Sequence, residues 1–549
     1  MTPGLTFRAA MVVHAARHWL PVTRYAERPT RTQQNVLREI LRNNSRTEFG
    51  VEHCFAEIQS AEEYRQRVPV QEYETLRARI ERQRCTGAAA LTAEAPLFYS
   101  QTSGSTGTPK YIPITPSALR IHRAEQALFT YLQYRACPAA FAGKALGIMG
   151  ASVEERLDSG HHVGSVSGHL YESLPASIRS RFVVPPGVST IDDYDLKYLV
   201  IVRLALASPD ITYLGSPNPS TFLRLLDILN DREDVLARSL ETGTLPELDA
   251  LDGNTRAAVL PHIRRNAARA SQLRAAGPTT FAKLWPAIKL VTTWTGGSCG
   301  IALDKLRHTL PGGTRVMELG YQSTECRGTI ALEAETQGGL PPLHHHYFEF
   351  VEQDGWDIGQ PTFLGLGELA KGKRYYIVVT TAAGLYRYFM NDLIEVTGGY
   401  RSTPLIRFVQ KGRGVTSLTG EKLYEAQVIE AVQGAVRCYN VAASFFILVA
   451  DEERSAYTLF LENDAPATPD NSKVASAVDA GLGSLNVEYR SKRASGRLAP
   501  LTVAWLRQGA GQAYKAACVQ AGQREGQFKP VVLQYRSKLV LSLEPHVIG

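Results

Sequence analysis

The chain predicts an α/β protein built from open sheets, with a large amino-terminal domain and a smaller carboxyl-terminal one. Three observations lead there. Short apolar runs at residues 144–149, 210–214 and 288–294 have the length of buried strands, and segments of helical periodicity separate them. The third run passes directly into Thr295-Gly-Gly-Ser-Cys-Gly300, a flexible loop where open α/β sheets bind their ligands, at a strand's carboxyl end. After Phe408 the pattern restarts, with a helix at 423–436 and strands at 443–450 and 457–461. The expected division is 1–410 and 411–549, with Lys411-Gly-Arg-Gly414 as the junction about which the small domain moves.

Residues 5–20 read as an amphipathic helix packed on the body, and residues 31–82 as helices with Arg, Gln and Glu on their outer faces. Residues 111–114 form a short strand. Thr115 and Pro116 supply the cap and first position of a helix reaching about Arg135. Helical periodicity returns at 220–240 and 254–275. The arginines of the latter, Arg264, Arg265, Arg269 and Arg274, read as a solvated face. No repeat of solenoid period is present.

With 44% hydrophobic and 21% charged residues over 549 positions, the chain has the composition of a globular protein with a sizeable core. A net charge of +7 without any Lys/Arg run excludes a nucleic-acid partner but suits anionic substrates. The seven cysteines are odd in number and form no C-x-x-C pair, which predicts reduced thiols and a cytoplasmic location. Arg8, His14, Arg17 and His18 interrupt any signal-peptide core, and no run of about 20 apolar residues occurs. The expectation is a monomer without a membrane partner.

The chemistry is densest at residues 99–115, Tyr-Ser-Gln-Thr-Ser-Gly-Ser-Thr-Gly-Thr-Pro-Lys-Tyr-Ile-Pro-Ile-Thr. Gly104 and Gly107 permit backbone conformations in which N–H groups form an anion nest; Ser103, Ser105 and Thr106 add donors, and Lys110 adds a charge. A nucleoside triphosphate suits such a loop. Pro109 before Lys110 and Tyr111 after it break the Walker pattern, so a P-loop kinase or GTPase is disfavoured.

This loop resembles the phosphate loop of the acyl-adenylate-forming enzymes. Residues 320–325, Gly-Tyr-Gln-Ser-Thr-Glu, look like that superfamily's Tyr-Gly-Ser-Thr-Glu motif, and residues 384–392, Gly-Leu-Tyr-Arg-Tyr-Phe-Met-Asn-Asp, like its ribose-binding segment. Residues 62–87 look like the amino-terminal signature of the plant auxin-responsive acyl-acid amido synthetases. Residues 346–350, 384–398 and 527–529 also match segments of that family, with Asn391 where the family has glycine. The resemblance runs from about residue 60 to 530.

It implies an adenylate-forming fold and an ATP- and Mg2+-dependent ligase that joins a carboxylic acid to an amine or amino acid through an acyl adenylate. By resemblance, Ser103, Gly104, Ser105, Thr106, Gly107 and Lys110 hold phosphates, and Tyr321, Gln322, Ser323 and Thr324 line the nucleotide. Glu325 ligates Mg2+, Asp392 takes the ribose hydroxyls, and Arg413 approaches ribose or phosphate. Lys422 and Lys529 are catalytic lysines of the small domain. A ligase using coenzyme A or a carrier protein would share the adenylation step, and a silent nucleotide binder is the third reading. Two clusters stand apart. His161 and His162, ahead of 164–168, read as acyl-pocket wall or surface turn. His344, His345 and His346 read as the entry to a strand whose neighbours face opposite ways, with one imidazole at the active site.

Overall fold

Three of the five sheets among the described residues, each with its own core, organise the molecule. The computed structural model describes residues 3–548 apart from 103–109, 297–298, 358–359, 413–414, 417, 420, 422, 466–467, 495–497, 522–527 and 529. The first sheet is parallel, in the order Lys144–Gly147, Ile211–Gly215, Leu290–Thr293, Arg315–Glu318. All four residues of Leu290–Thr293 are buried, the mark of a strand covered on both faces. Helices Tyr194–Leu206, Ser220–Asp231 and Glu233–Thr242 pack around it through Leu204, Phe222, Leu229, Leu236 and Leu240. The strand readings for this half of the chain hold to within a few residues, while the helical reading at 254–275 divides into Gly253–Val259 and Ala267–Ala275, separated by a 3-10 turn and a non-helical link at 263–266. The 220–240 reading becomes two helices, broken at Arg232.

One reading is corrected. Arg264, Arg265 and Arg274 are exposed as expected, but Arg269 is buried. Its guanidinium donates to the carbonyls of Leu206 at 3.0 Å and Leu284 at 2.7 Å, tying two segments that periodicity alone could not connect. Arg203, fully buried, does the same for Ser239 and the Arg264 carbonyl. A buried cation is tolerated here because backbone oxygens surround it.

The second sheet is antiparallel, in the order Phe363–Gly365, Tyr347–Glu352, Arg374–Thr380, Tyr388–Tyr400, Thr403–Lys411. The helices Pro29–Asn44, Ala61–Arg67 and Tyr73–Thr86 cover it, sharing a core with Tyr64, Tyr73, Phe348, Phe350, Tyr375 and Tyr386. The hairpin Phe98–Thr102 with Lys110–Ile114, paired Thr102 to Lys110 at its tip, brackets the unassigned 103–109 segment. Thr115 caps helix Pro116–Ala136 by accepting from the Ala118 N–H. Beyond residue 415 a mixed sheet, Thr502–Leu506, Ala456–Asn463, Ala443–Asp451, Leu533–Tyr535, carries helices Glu425–Cys438, Asn471–Leu485 and Ala510–Gln520 on cores of its own.

The strand Tyr388–Tyr400 is interrupted by a bulge in its pairing with Arg374–Thr380. Tyr376 pairs with Leu393 and Val378 with Phe389, so two steps of one strand face four of the other. Inside this bulge Asn391 takes φ 51°, a left-handed conformation that asparagine tolerates better than most residues. The asparagine therefore does the work of the glycine seen in the resembling motif. Replacing it tests that assignment. Asn391→Ala is expected to lose about 1 kcal/mol of unfolding free energy in urea titrations, whereas Asn391→Gly stays within roughly 0.5 kcal/mol of the parent. Equal losses would show that the side chain, not the backbone angle, matters.

Candidate active site

The carboxyl ends of the parallel strands, the bulged antiparallel strand and the start of the small domain enclose one cleft of about 2350 Å3. Its wall includes Ser216 and Pro217 after the second parallel strand, Thr295 and Gly296 after the third, and Leu319 to Glu325 after the fourth. Glu318, the last residue of the fourth strand, ties two of these loops together. It accepts from the Thr295 backbone N–H at 2.8 Å and hydroxyl, and from the Gly320 N–H at 3.0 Å.

The 320–325 segment is a tight loop closed on itself. Thr329 Oγ1 accepts from the Tyr321 N–H at 2.8 Å, and the N–H groups of Gly328 and Thr329 return to the Tyr321 carbonyl. Gly320 has φ 97°, and a Cβ on Gly328 would lie 2.1 Å from the Tyr321 ring. That packing aims Tyr321 at Asp392: its hydroxyl donates to Oδ2 at 2.5 Å. Burial, then the Asp392 charge, pushes the phenol well above its ordinary range, so it remains a donor. One ring face stacks on Phe408, with centroids 5.5 Å apart. Asp392 is buried against the cleft, and Gln322, Ser323, Thr324 and Glu325 line the wall half-buried beside it.

Behind the bulge lies a buried ionic junction. Glu349 accepts from Arg387 Nε at 3.0 Å and Arg65 Nε at 2.9 Å, while Arg387 also donates to the Val68 and Arg65 carbonyls. Arg387 has φ 44° and its N–H donates to Thr380 Oγ1. Three separate sequence segments, 62–87, 346–350 and 384–392, thus meet at one carboxylate.

The histidine cluster stands at the entry to a strand, as expected, but its neighbours do not face opposite ways. His344 to His346 occupy the turn before Tyr347–Glu352 rather than a strand, so adjacent rings are free to face one partner. Gln33 clamps that turn, donating to the Leu343 and His346 carbonyls and accepting from the Phe348 N–H. The partner is Glu125, buried on helix Pro116–Ala136, with His345 Nδ1 at 3.3 Å, His346 Nε2 at 3.2 Å and His122 Nδ1 at 3.7 Å. Burial alone would raise this carboxyl, but the imidazoles outweigh it and hold Glu125 well below the usual range. Among the described residues no group of three or more His, Cys, Asp or Glu is arranged to hold a metal ion. His122 and Glu125 line the cleft. The other pair, His161 and His162, packs on Tyr99 and Phe98, and Ser165 and Ser167 of the following segment reach the cleft wall.

Lys110 lies at the cleft with its ammonium 5.5 Å over the Tyr73 ring. Ser103, Gly104, Ser105, Thr106, Gly107, Arg413, Lys422 and Lys529 lie outside the described residues. Phe528 is described. Asn218, in the loop after the second parallel strand, donates to its carbonyl at 3.0 Å, and Asn218 is itself oriented by accepting from the Ser220 N–H. Lys305 pairs with Asp464 across the same boundary. Sequence reasoning missed Phe408, Glu318, Glu125 and Asn218 because each acts through a partner more than 20 positions away or through stacking alone.

Family models match the chain in three consecutive parts: the GH3 family N-terminal domain over residues 22–315, the central domain over 340–411 and the C-terminal domain over 426–538. Among curated relatives, the indole-3-acetic acid-amido synthetase GH3.15 of Arabidopsis thaliana is 26% identical over 428 residues, covering 73% of this chain and 71% of its own length. The indole-3-acetic acid-amido synthetase GH3.8 of Oryza sativa subsp. indica is 26% identical over 538 residues, covering 90% and 87%. A solved GH3.15 acyl acid amido synthetase superposes with a TM-score of 0.85 at 22% identity, over 96% of this chain and 95% of its own, and shows the same fold.

The buried imidazoles make stability depend on pH. Burial pushes His344 well below its ordinary value and lowers His346, and burial with neighbouring positive charge brings His18 to about 4. Below about pH 6.5 the unfolded chain binds protons that these folded sites refuse, so stability is present above that pH and lost as pH falls. Urea unfolding at pH 7 and pH 5 should show the drop. His344→Phe, which keeps the stack on Tyr25 but cannot titrate, should show a smaller one. An identical drop in both proteins would remove His344 from the account.

Proposed function

The chain belongs to the GH3 family, and from that membership together with the cleft we propose that it is an ATP-dependent ligase that adenylates a carboxylic acid and passes the acyl group to the amine of an amino acid. The observation that carries this reading is the Tyr321–Asp392 pair, in which two of the matching motifs meet side by side at one cleft.

In the first step a carboxylate oxygen attacks the α-phosphorus of ATP and pyrophosphate leaves. Both reactants are anions, so the site must neutralise and align them. Residues 103–107 and Lys110 hold the β- and γ-phosphates. Asp392 offers acceptor oxygens to the ribose hydroxyls, held in place by Tyr321. Tyr321 through Thr324 line the nucleotide. Glu325, a half-buried carboxylate on the wall, presents the hard oxygen that Mg2+ prefers, and the ion would neutralise phosphate charge there. Arg413 approaches ribose or phosphate, and Lys422 positions the nucleotide. Lys529 brings its charge to the α-phosphate, where charge builds in the transition state.

In the second step the amine nitrogen attacks the acyl carbonyl, AMP leaves, and an amide remains. The small domain, taken as 411–549, turns about residues 409–414 between the steps. The location is the cytoplasm and the working unit a monomer.

Incubation with ATP, Mg2+, a panel of aryl, indolyl and aliphatic acids and pooled amino acids is expected to give acid-dependent pyrophosphate and an amide conjugate by mass spectrometry. Product that forms only with coenzyme A would overturn the amide reading while leaving adenylation intact. Asp392→Ala should weaken ATP binding by the loss of two charge-assisted hydrogen bonds, each worth about 1.5–3 kcal/mol. Tyr321→Phe, which leaves the carboxylate in place, should weaken it less. Calorimetry showing unchanged affinity for Asp392→Ala would remove this residue from the ribose site.

A further inference from the structure

Helix Leu5–His14 and the turns that follow it present two apolar faces, and only one is covered. Met11 is buried, and Phe7 stacks on Phe141 at 5.2 Å and packs edge-on against Tyr134. Phe7, Ala10, Met11 and His14 line the cleft. The opposite face carries Leu5, Val12, Val13 and Leu20 at 81%, 69%, 60% and 52% exposure. On an ideal helical wheel Leu5, Ala9, Val12 and Val13 fall within an arc of about 100°, too narrow and regular for scattered surface residues. Arg8, exposed, lies about 90° from the centre of that arc, and Arg17, also exposed, follows in the π-helical turn Ala15–Trp19.

The charge around this stripe has one sign. Residues 1–26 include Arg8, Arg17 and Arg24 and not one Asp or Glu; the first carboxylate side chain is Glu27. All three arginines are exposed, and among the described residues none is ion-paired. An apolar stripe bordered by long cationic side chains fits the boundary between lipid headgroups and acyl chains, where the guanidinium groups meet phosphates while the stripe sinks inward. A second copy of the chain would bring the same arginines against themselves, so charge complementarity favours an anionic surface over self-association.

We propose that the face formed by Leu5, Val12, Val13 and Leu20, with Arg8 and Arg17, docks this protein peripherally on anionic lipid bilayers. No helix among the described residues is long and apolar enough to cross a membrane, and this surface does not ask for one: the helix lies in the interface with its inner face still on the protein. The proposal departs from the expectation of no membrane partner, which rested on the absence of a spanning run. It stands independently of the reaction assigned to the cleft.

The test is co-sedimentation of the full chain with phosphatidylcholine vesicles, with and without about one-third phosphatidylglycerol. Binding is expected to the anionic vesicles, weakening by about tenfold or more in about 0.5 M salt, in Leu5→Gln/Val12→Gln/Val13→Gln, and in Arg8→Gln/Arg17→Gln. The two variants alter different halves of the surface, and thermal melts matching the parent certify that both fold. Three outcomes would overturn the proposal: no preference for anionic vesicles, binding untouched by either variant, or a concentration-dependent dimer in light scattering that the apolar triple variant abolishes.

Discussion

Glu349 is the interaction on which the site depends. A carboxylate with about 1% of its side chain exposed survives in a protein interior only if charge and hydrogen bonds replace its water, and here two guanidinium groups do so. Arg65 arrives on a helix and Arg387 on the turn into the bulged strand. Because Arg387 also donates to two carbonyls of the 65–68 segment, the helical layer and the antiparallel sheet cannot slide past one another without leaving buried charge unpaired. The bulge begins a few residues further on. Its register, and so the direction of Asp392, is inherited from that junction.

The same logic explains what the sequence disclosed. Parallel strands were legible because burial on both faces makes short continuous apolar runs, and the Thr115–Pro116 helix start was legible because capping is local chemistry. Residues 320–325 and 384–392 could be singled out because each is a contiguous pattern, and the fold brings the two together at one cleft. The antiparallel sheet of 347–411 was not foreseen as a sheet. Arg374–Thr380 is buried at every position after the first, and the first seven residues of Tyr388–Tyr400 are buried except Asn391, so neither stretch shows the alternation that marks a half-exposed strand. Arg269 was misread for a related reason: a helical arginine looks the same in sequence whether its face meets water or two distant carbonyls.

The histidines show where local rules mislead. The expectation that neighbouring side chains oppose each other holds for a strand, but Gln33 holds residues 343–346 in a turn, and rings at 345 and 346 then converge on Glu125. No reading of the triplet alone could supply the carboxylate, which is 220 positions away. An ionised glutamate inside a ring of imidazoles places polar, charge-bearing groups on a wall that also carries apolar residues such as Ile148, Met149 and Leu170. A site lined in both ways can orient an acid by one end while burying the other.

The contacts between the large and small domains are of a different kind from the cores on either side. Lys305 and Asp464 form a partly exposed ion pair, and such pairs contribute about 0–1 kcal/mol. The Asn218 bond to the Phe528 carbonyl joins neutral groups, and such a bond contributes about 0.5–1.5 kcal/mol. The Ala426 N–H adds a further bond across the boundary, to Gln410 Oε1 at 2.8 Å. The cores themselves bury large aromatic side chains such as Tyr375 and Tyr386 on one side and Tyr457 and Tyr489 on the other, each contributing on the scale of a whole side chain's transfer free energy. Each domain is held by its own core, and polar contacts of smaller individual worth join the two. At that boundary Asn218 holds the Phe528 carbonyl at 3.0 Å against the loop that follows the second parallel strand.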